Sequence, residues 1–180
     1  MVGVSKAWQY GLIARHPRLF LPIEGSPAAA PGYPDCGEGW AGLLERCCVR
    51  IEAALSDRDT FLAEQIKSKY GTLRFYWGGA VSRTSAAMVE EAIALAEARS
   101  ASTCEICGEE GRLHADGFWL ATACDRHSVG EPVEITAGYE NLHIVRSFGA
   151  DGMSLVSCRR YDRETDTFID VDPSCVEIEE

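Results

Sequence analysis

A chain of 180 residues with 46% hydrophobic and 25% charged residues has room for one ordinary core domain with an appendage, and its composition excludes wholesale disorder. Its net charge of −11 is unevenly placed: residues 1–100 hold eleven basic and eleven acidic residues, whereas residues 101–180 hold six and seventeen. Such a surface repels phosphate backbones and favours basic partners.

No stretch reaches the roughly 20 apolar residues that span a bilayer. The opening MVGVSKAWQYGLIARHPRLFLP has no sustained apolar region and no small-residue cleavage site, which argues for the cytoplasm rather than secretion. In that compartment eight cysteines point to metal binding or core burial rather than to disulfides.

In chain order, residues 1–39 read as an N-terminal arm and a Pro/Gly-rich segment, PIEGSPAAAPGYPDCGEG, too broken for a helix or inner strand. Residues 40–100 read as a helix-strand-helix core. From Trp40 the apolar residues Leu44, Cys48, Ile51 and Leu55 share a helical face, with Cys47 and Cys48 as small buried hydrophobes. A second helix is expected from Asp59 or Thr60 through FLAEQIKSKY, ended by Gly71. TLRFYW then alternates as a strand, with Leu73, Phe75 and Trp77 inward and Arg74 and Tyr76 outward. Ser85 is the expected cap of a further helix whose stripe is Val89, Ile93 and Ala96, widened by Met88, Ala92 and Leu95.

Residues 101–128 form a cysteine-rich module. Cys104, Cys107, Cys124 and His127 give C-x2-C-x16-C-x2-H, the two-pair spacing of a structural Zn²⁺ site, and Gly108 permits a tight knuckle after the first pair. Four protein ligands leave no open position for a catalytic water. GRLHADGFWLAT between the pairs reads as a hairpin turning at Ala115-Asp116-Gly117, with His114 exposed on it rather than ligating. Glu105, Glu109, Glu110, Asp116 and Asp125 outnumber Arg112 and Arg126 around the site, which disfavours phosphate binding there. Residues 129–180 read as an acidic antiparallel meander of NLHIVRSF, MSLVSCRRY and TFIDV, turning at GADG and DRETD. The fold class expected is α+β, with an embedded zinc-ribbon module and a C-terminal meander.

Function is less sharply written. His16 and His143 need only surface or strand packing, Cys36, Cys158 and Cys175 are too scattered for a second site, and no catalytic residue is identified. The segment QIKSKYGTLRFYWGG followed by CEICGEEGRL and GFWLATACDRH resembles a group of short phage and prophage zinc-knuckle proteins with no assigned activity. In that group a GW-containing helix, an IKEKFGxLRFY segment and a CExCGxxGxL...GWxxTxCDxH knuckle follow in this order; the resemblance covers residues 36–128 and implies zinc binding. The leading expectation is a non-enzymatic accessory protein of a bacterial host's phage. It would dock on a basic host protein, as an inhibitor of nucleic-acid machinery such as an anti-CRISPR or other anti-defence protein, through Asp162, Glu164, Asp166, Asp170 and Asp172. One alternative is a nucleic-acid-binding regulator using Lys67, Lys69, Arg74 and Tyr76 beside further aromatics. Another is a metal-dependent His-Asn-His nuclease, for which the sequence has no His-His or Asp-His pair near the knuckle.

Overall fold

The computed structural model describes residues 7–21, 26–148 and 154–172. The fold is α+β, with four helices and three small sheets among those residues. It divides into two compact units, Met1–Pro132 and Val133–Glu180.

The first unit begins with helix α1 (Ala7–Arg15) and the single turn α2 (Pro17–Phe20), whose proline at the helix start has no amide to leave unpaired. Residues of the expected arm are therefore core residues: Leu12, Ile13, Leu19 and Phe20 are buried in one cluster with Trp40, Leu44, Cys48 and Ile51. His16, between the two helices, is buried as well; its Nδ1 lies 2.8 Å from Glu52 and its Nε2 3.2 Å from Glu45.

Strand β1 (Pro34–Asp35) precedes helix α3 (Ala41–Ala54), which buries Leu44, Cys47, Cys48 and Ile51 as its spacing predicts, and Leu43 besides. Burial pushes the Cys47 thiol up to about 12 and raises that of Cys48, as expected of cysteines that pack rather than react.

The helix expected through FLAEQIKSKY is instead strand β2 (Leu62–Lys69), paired antiparallel with β3 (Thr72–Gly78) and parallel with β1. Two local features account for the difference. The register passes from Ala63↔Trp77 to Gln65↔Tyr76, so Glu64 is an extra, bulged residue. The bulge separates the buried Ala63 and Ile66 by three positions, a spacing that imitates a helix. Gly71 does not end a helix: Tyr70 (φ 55°) and Gly71 (φ 77°) are both left-handed and form the two-residue turn of a hairpin.

Helix α4 (Arg83–Ser100) is capped by Ser82, whose hydroxyl accepts the Ser85 amide at 3.1 Å, so the cap lies one turn before the expected Ser85. Ser85 is buried and donates its hydroxyl to Asp59. The Asp59 carboxylate also accepts the amides of Ser82 and Ser56 and the Ser56 hydroxyl, joining the end of α3 to the start of α4. Val89, Ala92, Ile93, Leu95 and Ala96 are buried, whereas Met88 lies on the exposed side. α4 also covers the edge of β3, where the Leu73 amide donates to Ser100 Oγ (2.8 Å) and the Phe75 amide to Glu97 (3.4 Å).

Strands β4 (Arg112–Asp116) and β5 (Trp119–Ala123) form the second hairpin, with β6 (Glu131–Pro132) on the other side of β4. The turn falls at Gly117-Phe118, two residues beyond the start of the expected one.

The second unit is the meander β7 (Leu142–Phe148), β8 (Ser154–Asp162) and β9 (Thr167–Val171), antiparallel throughout and in the predicted order. Its GADG turn lies outside the described residues. Phe168 is its local hub: the rings of His143 and Tyr161 lie 5.4 and 5.9 Å away and the Arg159 guanidinium 4.1 Å away. Among the described residues no helix is long and apolar enough to cross a membrane.

Candidate metal centre

Cys104 follows α4 and opens a tight turn in which the Gly108 amide donates to the Cys104 carbonyl (2.9 Å) and the Cys104 amide to the Glu109 carbonyl (2.8 Å). Gly108 holds a φ of +80°, which a side-chain-bearing residue adopts at a cost. The second turn repeats the device directly after β5, with the amides of His127 and Ser128 both donating to the Cys124 carbonyl. These two turns bring one ligand atom each from Cys104, Cys107, Cys124 and His127 within 4.8 Å of one another.

Three of the six distances between the ligand atoms are near those around a tetrahedral cation. With Zn–S bonds near 2.3 Å and Zn–N near 2.05 Å, the edges of a tetrahedron are about 3.8 Å between sulfurs and about 3.6 Å between sulfur and nitrogen. Cys107 and Cys124 Sγ stand 3.7 Å apart, and His127 Nδ1 stands 3.6 and 3.3 Å from the sulfurs of Cys104 and Cys124. The imidazole therefore presents Nδ1 to the common centre. The Cys124 thiol is drawn down to about 6: desolvation opposes the thiolate, but the Arg126 amide and the side chains of Cys107, Cys104 and His127 outweigh it. A thiolate at neutral pH is the form a metal binds. The four residues can thus hold a metal ion.

The centre is tied to the core by hydrogen bonds on several sides. Trp40, fully buried, donates its indole N–H to the Thr103 carbonyl (2.8 Å), and the Gly39 amide donates to the Glu105 carbonyl (2.9 Å). A Cβ on Gly39 would lie 2.2 Å from the Cys104 carbonyl, so only glycine permits this approach. Glu105, between the first two ligands, accepts the Gly37 amide on one carboxylate oxygen (3.0 Å) and the Ser68 hydroxyl on the other (2.8 Å). Thr122 donates to the Gly71 carbonyl (2.6 Å), joining the two hairpins. None of these ties was read from the sequence. The adjoining Gly39-Trp40 pair is the one local signal that could have suggested them.

The other candidate residues are placed as follows. His114 does not lie exposed on the hairpin: it is buried, because β6 pairs alongside β4 at His114↔Pro132, and its Nδ1 lies 2.9 Å from the Arg112 carbonyl. Lys67, Lys69, Arg74 and Tyr76 come together on one face of the β2–β3 hairpin, with Lys67 opposite Arg74 in register and its ammonium 5.7 Å from the Tyr76 ring centre. Arg74 donates to Thr72 Oγ1 and the Leu73 carbonyl.

The acidic group at the C-terminal end divides. Asp162 accepts the Glu164 and Thr165 amides and the Thr165 hydroxyl, which lowers its pKa, and Asp166 accepts the Tyr161 hydroxyl, so both hold the β8–β9 turn. Glu164, Asp170 and Asp172 are exposed. Cys158 is buried, Cys36 is half-buried with its thiol pushed up by burial and the nearby Glu105 and Asp35, and Cys175 lies outside the described residues.

No protein-family model matches the chain, and no curated protein or solved structure matches it significantly.

Proposed function

We propose that the chain is a non-enzymatic, zinc-stabilised accessory protein of phage type that acts by binding a basic host protein of the nucleic-acid machinery, in the manner of an anti-CRISPR or other anti-defence protein. The observation that carries this reading is the closed Cys3His cluster. Its four ligand atoms lie within 4.8 Å of one another, its backbone is bonded to Gly39, Trp40 and Thr122, and exposed Glu109, Glu110 and Asp125 surround it. Bound there, Zn²⁺ would supply cross-linking of the two knuckles, since four protein ligands leave no position for substrate or water. Cys104, Cys107 and Cys124 would bind as thiolates and His127 through Nδ1.

Exposed carboxylates on both units support a basic protein as partner. In the test, immobilised protein captures partners from host lysate between about 50 and 300 mM salt, a range in which the screening length shortens roughly from 14 to 6 Å. A variant combining Glu109→Gln, Glu110→Gln, Glu164→Gln and Asp170→Asn leaves the turn residues Asp162 and Asp166 in place. Capture that falls at least tenfold with salt and with this variant supports the reading; capture insensitive to both overturns it.

A second reading, a nucleic-acid-binding regulator, is favoured by Lys67, Lys69, Arg74 and Tyr76 sharing one hairpin face. It requires that single-stranded DNA or RNA bind at low salt and that the Lys67→Ala/Lys69→Ala/Arg74→Ala variant lose that binding. A nuclease reading has less support: His127 belongs to the ligand cluster, and His114 is buried with Nδ1 near the Arg112 carbonyl.

A further inference from the structure

A cleft of about 830 Å³ opens in the first unit, and its lining comes from segments far apart in the chain: α1, the β1 region, the turn of the β2–β3 hairpin, the first knuckle and the start of β5. That volume is in the range of sites that enclose a small molecule or a side chain with its flanking backbone. Two features set the cleft apart from an ordinary surface depression.

The first is its polar wall. Gln9 lines the cleft and is 5% exposed, yet its side-chain oxygen has no hydrogen-bond partner among the described residues; Tyr33 also lines the cleft, and its hydroxyl is buried and likewise without a partner among the described residues. Native proteins leave few such atoms, because a buried acceptor without a donor carries its full desolvation cost. Asp35, at the same wall, has an exposed carboxylate that accepts no hydrogen bond among the described residues. The unmet hydrogen-bonding capacity of this wall is weighted toward acceptors.

The second is its aromatic rim. Trp119 is 75% exposed and Tyr70 66% exposed, although large aromatic side chains gain most from burial. The Tyr70 ring already carries one cation, the Lys69 ammonium at 5.1 Å from its centre. Asp35 and Glu105 against Lys69 leave the lining with a net negative charge.

A group that meets both features is flat, cationic and rich in hydrogen-bond donors. It stacks on exposed rings, fills several acceptors at once, and is attracted rather than repelled by a chain of net charge −11. We propose that this cleft is the anchor site for an arginine side chain of a basic partner, with the guanidinium donating toward Gln9, Tyr33 and Asp35 and stacking on Trp119 or Tyr70. This rests on the basic-partner reading above and names where that partner is gripped. A nucleobase is the competing occupant, since its flat ring could also stack here, but its phosphates would meet Asp35 and Glu105.

The test uses the full zinc-loaded chain and three short peptides alternating glycine with arginine, lysine or citrulline. Amide NMR follows the Gln9 carboxamide and the Trp119 indole. The arginine peptide is expected to shift both signals, the lysine peptide to bind about tenfold more weakly, and the uncharged citrulline peptide weaker still. Trp119→Ser and Asp35→Asn, both at exposed positions, are expected to weaken arginine binding about tenfold, while Glu164→Gln/Asp170→Asn leaves it within about twofold. Undiminished binding to Trp119→Ser and Asp35→Asn, no binding at low salt, or tighter binding of a single-stranded oligonucleotide to the cleft each overturns the proposal. Peptide binding lost only with the surface-acid variant overturns the cleft but leaves the basic-partner reading standing. Cleft binding that persists when capture of a host partner is insensitive to salt and charge overturns that reading and leaves the cleft.

Discussion

The first unit contains two hairpins with two-residue turns, and they are held in opposite ways. The β2–β3 hairpin buries Ala63, Ile66, Leu73 and Phe75 in the core cluster, with α2 beside β2 and α4 beside β3, an apolar face of the kind that stabilises by area removed from water. The β4–β5 hairpin buries His114, Thr122 and Ala123 but leaves Phe118 and Trp119 in solvent. So little apolar surface cannot hold a hairpin in place. Hydrogen bonds to the core, and a metal ion where the Cys3His cluster at its base holds one, would replace the missing burial. Burial spreads its contribution over many residues, whereas coordination concentrates it in four, and substitutions should reveal that difference.

The largest expected effect is from Cys104→Ser or removal of metal by a chelator. Structural zinc of this kind contributes on the order of 10 kcal/mol to folding, so amide exchange should become fast across β4 and β5. If β2–β3 loses protection at the same rate, the two hairpins are one cooperative unit and the contrast fails. Ile66→Ala is expected to cost about 2–5 kcal/mol, by lost transfer energy and a cavity, while zinc content by elemental analysis stays at one ion per chain. A fall in zinc content would show that the core hairpin holds the ligands in place.

Gly71→Ala addresses the junction between the two. A Cβ there would lie 2.4 Å from Leu113 Cδ1 on β4, at a φ of +77°, so a loss of about 1–3 kcal/mol is expected in urea denaturation. An unchanged midpoint would mean that the hairpins do not bear on one another. The smallest effect is expected from Asp59→Asn. Four hydrogen bonds from Ser56, Ser82 and Ser85 hold the Asp59 carboxyl well below its ordinary range. Its contribution is therefore present above the unfolded value of about 3.9 and is lost as pH falls toward the depressed folded value. Melting curves from pH 6 downward should be less pH-dependent in the variant; identical slopes would remove Asp59 from the acid response.

The sequence was most legible where structure is local. The ligand spacing of Cys104, Cys107, Cys124 and His127 identified the cluster because each knuckle closes within a few residues. The meander was legible because its strands are regular apart from their turns. β2 was illegible because one bulged residue, Glu64, changes a period of two into the spacing of a helix. His114 was misplaced because a strand of two residues, β6, supplies its cover and carries no periodicity of its own. The cleft could not be read at all, since Gln9, Tyr33, Tyr70 and Trp119 come from four segments far apart in the chain.

Glu105 belongs to both halves of that account. It sits in the loop between two metal ligands, and its carboxylate spans from Gly37 to Ser68 along the wall of the cleft. With a metal held there, a chelator that frees the knuckle would also free part of the wall, and a ligand that held the wall would hold the knuckle. Linkage of this kind runs equally in both directions. Were the proposed cleft occupied, the occupancy would be read as slower escape of the metal, without any label on the ligand.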